Sequence, residues 1–218
     1  MPALPSPLYL VTDRRQTQGR ELVQVVEPAL QGGVRAVQLR EKDLSSRELY
    51  RLAVQLRALT SRYQALLLVN DRIDIALAVE ADGVHLGGHS LPPAVARRLI
   101  GPHKLIGVST HSLAEARAAQ AEGADFLLFG PVFFTPSKAR YGKPVGIEAL
   151  QEVHRAISIP LYAIGGIKVH NVGSIAATGV EGFAVISAVM AAPDPEQAAQ
   201  DLLATFAQAQ PSASSQEK

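Results

Sequence analysis

Eight short apolar, β-branched runs recur along this chain, each followed by a longer stretch of helical period, and no other feature narrows its folding options as far. The runs are LYLVTD (8–13), AVQLRE (36–41), ALLLVND (65–71), GVHLG (83–87), LIGVST (105–110), FLLFGPVF (126–133), PLYAIGG (160–166) and GFAVISA (182–188). Near-continuous apolar runs of this length suit parallel strands covered on both faces. Between them lie amphipathic stretches such as SSRELYRLAVQLRALTSRY and SLAEARAAQAEG. The second predicts an N-cap at Ser112, Glu115 in the capping-box position and a C′ glycine at Gly123.

Eight βα units predict an α/β fold, a closed (β/α)₈ TIM barrel forming one domain over residues 1–207. An open doubly wound sheet is the competing architecture, but its Gly-rich dinucleotide turn would follow the first strand, and VTDRRQTQG is no such turn. With 47% hydrophobic and 19% charged residues among 218, the chain can bury a sizeable core. The last residues, QAQPSASSQEK (208–218), read as a polar tail expected to fray.

Composition also removes function classes. A net charge of +1 without a basic block argues against a nucleic-acid surface, so any anion site must come from local geometry. There is no cysteine, hence no disulfide framework, thiol nucleophile or cysteine metal cluster. The opening MPALPSPLYLVTD lacks the basic and long apolar regions of a signal peptide. No apolar stretch approaches the roughly 18 residues of a membrane span. A cytoplasmic protein is expected, with no membrane or nucleic-acid partner. Self-association as a homo-oligomer is left open.

In a barrel of this kind the active site is built at the C-terminal ends of the strands. Here those ends are polar: Gln38-Leu39-Arg40-Glu41-Lys42, Asn70-Asp71, Gly87-Gly88-His89-Ser90, Ser109-Thr110-His111, Thr135-Pro136-Ser137-Lys138, Gly165-Gly166 and Ile186-Ser187. Gln38, Arg40 and Lys42 alternate, so they are expected to share one side of the extended chain, where two cations and an amide suit a phosphate or diphosphate. A solvated rim is the plain alternative, outweighed by Lys138 and the glycine turns expected on the same face. Gly165-Gly166 and Ile186-Ser187 follow strands seven and eight, where barrels commonly bind phosphate through backbone N–H groups. Asn70-Asp71 could hold Mg²⁺, which takes one or two carboxylates and otherwise water and phosphate oxygens, or could cap a helix; both roles stay open. Residues 135–146, TPSKARYGKPVG, are long for a βα turn and read as a lid, with Lys138 and Lys143 as candidate cations or, for Lys143, plain surface.

Taken in order, QLREK, ND, GVSTHS, GADFLLFGPVFFTPSK, YAIGGI and AVIS resemble the thiamine-phosphate synthase family, from Leu8 to about Pro195. The resemblance implies Mg²⁺-dependent joining of 4-amino-5-hydroxymethyl-2-methylpyrimidine diphosphate to a thiazole phosphate, with release of pyrophosphate. It implies that Gln38, Arg40, Lys42 and Asn70 contact the pyrimidine diphosphate, and that Ser109 and Lys138 hold its diphosphate. Asp71 would bind the metal. Thr135 and Ser137 would meet the thiazole, whose phosphate would lie near Gly165, Ile186 and Ser187.

One position departs from the family. The stretch after strand four usually reads His-Leu-Gly-Gln-x-Asp, that Asp being the second metal ligand; here Gly88 and Ser90 stand in those places. Serine at this place resembles the sister thiazole tautomerases, which isomerise a thiazole carboxylate phosphate without metal. They would need a general base, expected in the strand-six motif where this chain has Pro131. His89 and His111 are the substitute bases, and a non-catalytic binder of thiazole or thiamine phosphate is a third reading.

Overall fold

The computed structural model describes residues 4–135 and 143–211. Its eight parallel strands close in sequence order, β1 pairing with β8 through Leu8–Phe183, Tyr9–Ala184 and Leu10–Val185. The elements run β1 (Leu8–Val11), α1 (Leu22–Gln31), β2 (Ala36–Leu39), α2 (Ser46–Arg62), β3 (Leu66–Asn70), α3 (Ile73–Ala78), β4 (Gly83–Leu86), α4 (Pro93–Ile100) and β5 (Leu105–Thr110). They continue α5 (Leu113–Ala121), β6 (Phe126–Phe129), α6 (Gly146–Ala156), β7 (Leu161–Ile164), α7 (Val169–Ala176), β8 (Gly182–Val185), α8 (Ser187–Met190) and α9 (Pro195–Ala209). The predicted (β/α)₈ architecture is therefore observed. Most of the polar tail, residues 212–218, lies outside the described residues.

Strand parity divides the apolar residues into two layers. Val37, Leu39, Leu67, Val69, Val84, Leu86, Leu127 and Phe183 belong to the large cluster between strands and helices. Their neighbours along the chain, Tyr9, Ala36, Leu68, Phe126, Leu128, Tyr162 and Ala184, form the smaller cluster inside the barrel. This is the two-sided burial that makes parallel strands read as continuous apolar runs. Leu4 joins the inner cluster, its backbone N–H donating to the Tyr162 hydroxyl at 2.9 Å.

The strands are mostly shorter than the apolar runs. The run FLLFGPVF predicts one strand, but β6 stops at Phe129, where Gly130 and Pro131 follow and proline has no N–H for the ladder. GFAVISA likewise divides, its last residues opening the short helix α8. Beneath the barrel, three acidic residues just before β4, β6 and β8 each accept a backbone N–H from the preceding strand. Asp82 takes Leu67 N–H at 2.7 Å, Asp125 takes Ile106 N–H at 2.7 Å, and Glu181 takes Leu161 N–H at 2.8 Å. Arg57 and Arg97 neutralise the first two at 2.5 and 2.6 Å.

Candidate active site

The interior parity that orders the core continues to the strand ends and turns polar there. Ala36 faces the barrel axis, and two residues on Gln38 does too, buried, its amide donating to the Tyr9 hydroxyl at 3.2 Å. Arg40 follows on the same parity, and its charge reaches the His85 ring inside the barrel. Its backbone N–H donates to Thr12 Oγ1 at 3.0 Å, and that hydroxyl donates to the buried Glu41 carboxylate at 2.7 Å. Glu41 also accepts the Arg14 N–H, so it fastens the end of β2 to the loop after β1. The Arg40 guanidinium itself has no hydrogen bond or ion pair among the described residues, which leaves its donors for a ligand.

The expected alternation ends there. Beyond β2 the chain turns at Lys42, so Lys42 does not continue the extended edge with Gln38 and Arg40. Instead it lines a cavity of about 220 Å³ with Leu39, Glu41, Asn70, Asp71 and Arg72. The cavity brings Lys42 beside the β3 end but does not include Gln38 or Ser109.

Asp71 lies at φ +60°, a left-handed conformation that Asp and Asn tolerate better than most residues. Its N–H donates to the His85 carbonyl at 3.0 Å, tying the end of β3 to β4. One carboxylate oxygen accepts the Asn70 amide at 2.7 Å, and the other accepts the Ser90 hydroxyl. Ser90 Oγ in turn accepts the Gly87 N–H at 2.6 Å. The loop after β4 thus delivers Ser90 to Asp71, at the place where the resemblance implies a carboxylate. Asn70 steadies Asp71 rather than capping α3, whose N-cap position is Arg72.

Ser109 projects from β5 and meets a residue that sequence reading passed over. His85 Nε2 lies 2.9 Å from Ser109 Oγ, while His85 Nδ1 is buried without a partner among the described residues. Burial, and secondarily the Arg40 charge, push the His85 pKa down from 6.5 to about 3. The Tyr9 and Phe126 rings each pack 5.9 Å from His85, and Phe126 continues to Tyr162 at 5.8 Å. Burial also raises the Tyr9 phenol above its ordinary range. An apolar, aromatic plug therefore underlies a polar layer of Gln38, Asn70, His85 and Ser109. His85 was hidden because it sits within an apolar run; its inward parity, shared with Gly83, was the available signal.

The far side of the mouth is built from glycine. Gly165 and Gly166 have φ +102° and +67°, and a Cβ on either would lie 2.5 Å from Pro131 Cβ or the Phe134 carbonyl oxygen. Glycine is required both by conformation and by this close approach to the chain after β6. Asn171 holds the turn, donating to the Gly166 carbonyl at 3.0 Å and accepting the Lys168 N–H at 2.7 Å. Lys168, another residue not foreseen, donates its ammonium to Ser187 Oγ at 3.2 Å, next to Ile186 at the start of α8. Thr135 is half-buried at the edge of this region, whereas Ser137 and Lys138 lie outside the described residues. Lys143 is exposed, as is His89. His111 donates Nδ1–H to the Gly130 carbonyl, and Glu115 accepts the His111 N–H at 2.8 Å. The expected Ser112 capping box is consequently half made: Ser112 accepts Glu115 N–H, but Glu115 reaches back one residue further.

Asp71 stands here with a neutral hydroxyl and amide bonded to it, Glu41 being engaged by Thr12 and Arg14, and no group of three or more His, Asp or Glu among the described residues could hold a metal. Such a set does not form an all-protein cage. It does fit Mg²⁺, which binds through one or two carboxylates and completes its shell with water and substrate phosphate.

Residues 8–189 match the family model described as thiamine monophosphate synthase. A Geobacter sulfurreducens relative is 58% identical over 197 residues, covering 90% of this chain and 92% of its own length. The thiamine-phosphate synthase of Syntrophomonas wolfei is 51% identical over 195 residues, 89% of this chain and 93% of that protein. Among solved structures, thiamine phosphate pyrophosphorylase from Pyrococcus furiosus superposes with a TM-score of 0.85 at 43% identity, covering 93% of this chain and 96% of that one. A 3-hexulose-6-phosphate synthase shares the fold alone, at 19% identity and a TM-score of 0.70.

Proposed function

This chain belongs to the thiamine-phosphate synthase family of transferases, and from that premise we propose that it condenses 4-amino-5-hydroxymethyl-2-methylpyrimidine diphosphate with 4-methyl-5-(2-phosphooxyethyl)thiazole, in the cytoplasm and with Mg²⁺. The observation that carries this reading is the set of groups at the strand ends: an Arg40 guanidinium with no protein partner among the described residues, its charge felt at the His85 ring that Ser109 meets, and a separate cavity lined by Lys42, Asn70 and Asp71. That inventory recognises a polyanion and offers no activated nucleophile.

The reaction asks for little more. The bond between the pyrimidine methylene carbon and the diphosphate oxygen breaks, and the electron pair leaves with diphosphate. The thiazole nitrogen then gives its lone pair to the methylene carbon, and no proton transfer is required for the new C–N bond. Charge accumulates on the leaving oxygen, so donors aimed there act more strongly in the transition state than in the ground state. Arg40 and Ser109 would supply those donors on one side, Lys42 the charge on the other, with Lys138 a further cation. Mg²⁺, held by Asp71, would add charge neutralisation at the same diphosphate. Gln38 and Asn70 would orient the pyrimidine. Thr135 and Ser137 would flank the thiazole, and the turn at Gly165 with Ile186 and Ser187 would take its phosphate.

Two features weigh against the tautomerase reading. Pro131 has no titratable group at the strand-six position, and the His111 ring is already engaged with the Gly130 carbonyl. The test is a coupling assay with both substrates and Mg²⁺, followed by chromatography of thiamine phosphate. Folded protein at high concentration that forms none would refute the proposal.

A further inference from the structure

We propose that His85 is a positioning residue for Ser109: it donates Nε2–H to Ser109 Oγ and so leaves the serine's own proton for the anion at the barrel mouth. The inference rests on the synthase reading for its consequence, but its structural half stands on the geometry of the ring.

A neutral imidazole has one N–H and two nitrogens, and here their surroundings differ. Nδ1 is buried and has no hydrogen-bond partner among the described residues. Gly107 lies flush against it, since a Cβ at that position would be 2.6 Å away, and the Phe126 ring closes the same side. Nε2 faces Ser109 Oγ at 2.9 Å. A proton on Nδ1 would be a buried donor with no acceptor, the rarest kind of unsatisfied group. A proton on Nε2 leaves only a lone pair in the aromatic cage and completes the contact to serine. Burial of an orphaned donor being the costlier error, the Nε2–H form is selected.

The choice decides what Ser109 can do. A hydroxyl has one proton and two lone pairs. If Nε2 were an acceptor, Ser109 would spend its proton on the ring and turn lone pairs to the diphosphate, which would repel it. With Nε2 as donor, Ser109 accepts from below and donates outward. No carboxylate bonds His85 among the described residues, so nothing else fixes the proton.

The test has a spectroscopic and a kinetic arm. In protein labelled with ¹⁵N-histidine, long-range ¹H–¹⁵N correlation of the ligand-free enzyme should show His85 as the neutral Nε2–H tautomer, assigned by its absence in His85→Gln. The Nδ1–H pattern would overturn the proposal. In steady-state assays, His85→Leu should lower kcat roughly ten- to a hundredfold, with a smaller change in KM, as expected for a charge-assisted donor lost in the transition state. Ser109→Ala should do the same, and the double variant should be no worse than Ser109→Ala alone. His85→Gln, whose amide N–H can occupy the Nε2 place, should recover most of the loss. Independent, additive effects of His85→Leu and Ser109→Ala, or no rescue by Gln in a protein with native circular dichroism, would refute the positioning role. If wild-type protein forms no thiamine phosphate, the synthase reading fails while the tautomer measurement still decides the ring.

Discussion

The Ser90 hydroxyl reaches Asp71 where the family resemblance implies a second carboxylate, and that difference predicts a measurable electrostatic consequence. A neutral donor quiets the charge of Asp71 instead of adding to it. With one fewer negative charge beside it, a divalent cation at Asp71 would be held less tightly, since affinity at such sites follows ligand charge. Ser90→Asp is expected to lower the Mg²⁺ concentration for half-maximal activity by roughly an order of magnitude. An unchanged Mg²⁺ titration would place residue 90 away from the metal. Arg40, free of partners among the described residues, should be costly to remove: Arg40→Met is expected to lower kcat/KM for the pyrimidine diphosphate by about a hundredfold or more, read in the same coupling assay. Much of this residue-scale picture was legible. Arg40, Asp71 and Ser109 are polar groups at strand ends, and strand ends are where a barrel works. His85 was not legible because a histidine inside GVHLG counts as one more buried position until strand pairing shows which way it points. Lys168 was missed for a different reason: its partner Ser187 is nearby only through the adjacency of β7 and β8.

Elements end where their backbone partners end, and that is why the apolar runs overstated most strands. β5 fills its whole run, Leu105–Thr110, while β6 loses half of FLLFGPVF to the glycine and proline that follow Phe129. Apolar content reports burial, and the residues after a strand stay partly buried at the barrel mouth without joining the ladder. The opposite ends of the strands carry a device that sequence reading did not use. Asp82, Asp125 and Glu181 each take an N–H from the strand before, supplying an acceptor at the floor of the barrel. Asp125→Ala should therefore remove an acceptor from Ile106 N–H and a partner from Arg97 at once, costing about 2–3 kcal/mol in urea denaturation. Arg97→Ala combined with it should cost less than the sum of the two, because both act on one carboxylate. A strictly additive pair would show that Asp125 and Arg97 act separately. At the other end, Gly165→Ala forces a Cβ against Pro131 at a backbone angle alanine resists, and should destabilise the protein by roughly 1–3 kcal/mol. If that turn holds the thiazole phosphate, KM for the thiazole phosphate should rise as well.

Across the whole molecule, the alternation of eight apolar runs with amphipathic helices was enough to read a closed barrel, because closure leaves every strand buried on both faces and erases the edge a polar alternation would mark. What lies inside that closure follows from parity, and it sets how the fold responds to acid. His85 stands in the interior between Tyr9 and Phe126, with Arg40 the charged group whose field adds to its desolvation. Tyr9, its phenol raised by burial, stays neutral throughout the acid range. The His85 pKa falls from 6.5 to about 3 on folding, so between those values the unfolded chain binds a proton that the native chain refuses. Stability is then complete above about pH 6.5 and declines as pH falls, by up to roughly 1.4 kcal/mol per unit, until about pH 3. Carboxylates held below their usual range by cationic or hydroxyl partners, Asp43, Asp74 and Glu48, give up their contribution only at lower pH. The upper part of the window therefore isolates the histidine. Urea unfolding should lose about 2 kcal/mol between pH 6.5 and 4.5 in the wild type, and His85→Gln, which cannot take the proton in either state, should flatten that slope. A slope that survives the substitution would move the acid sensitivity away from the barrel interior and onto its surface charges.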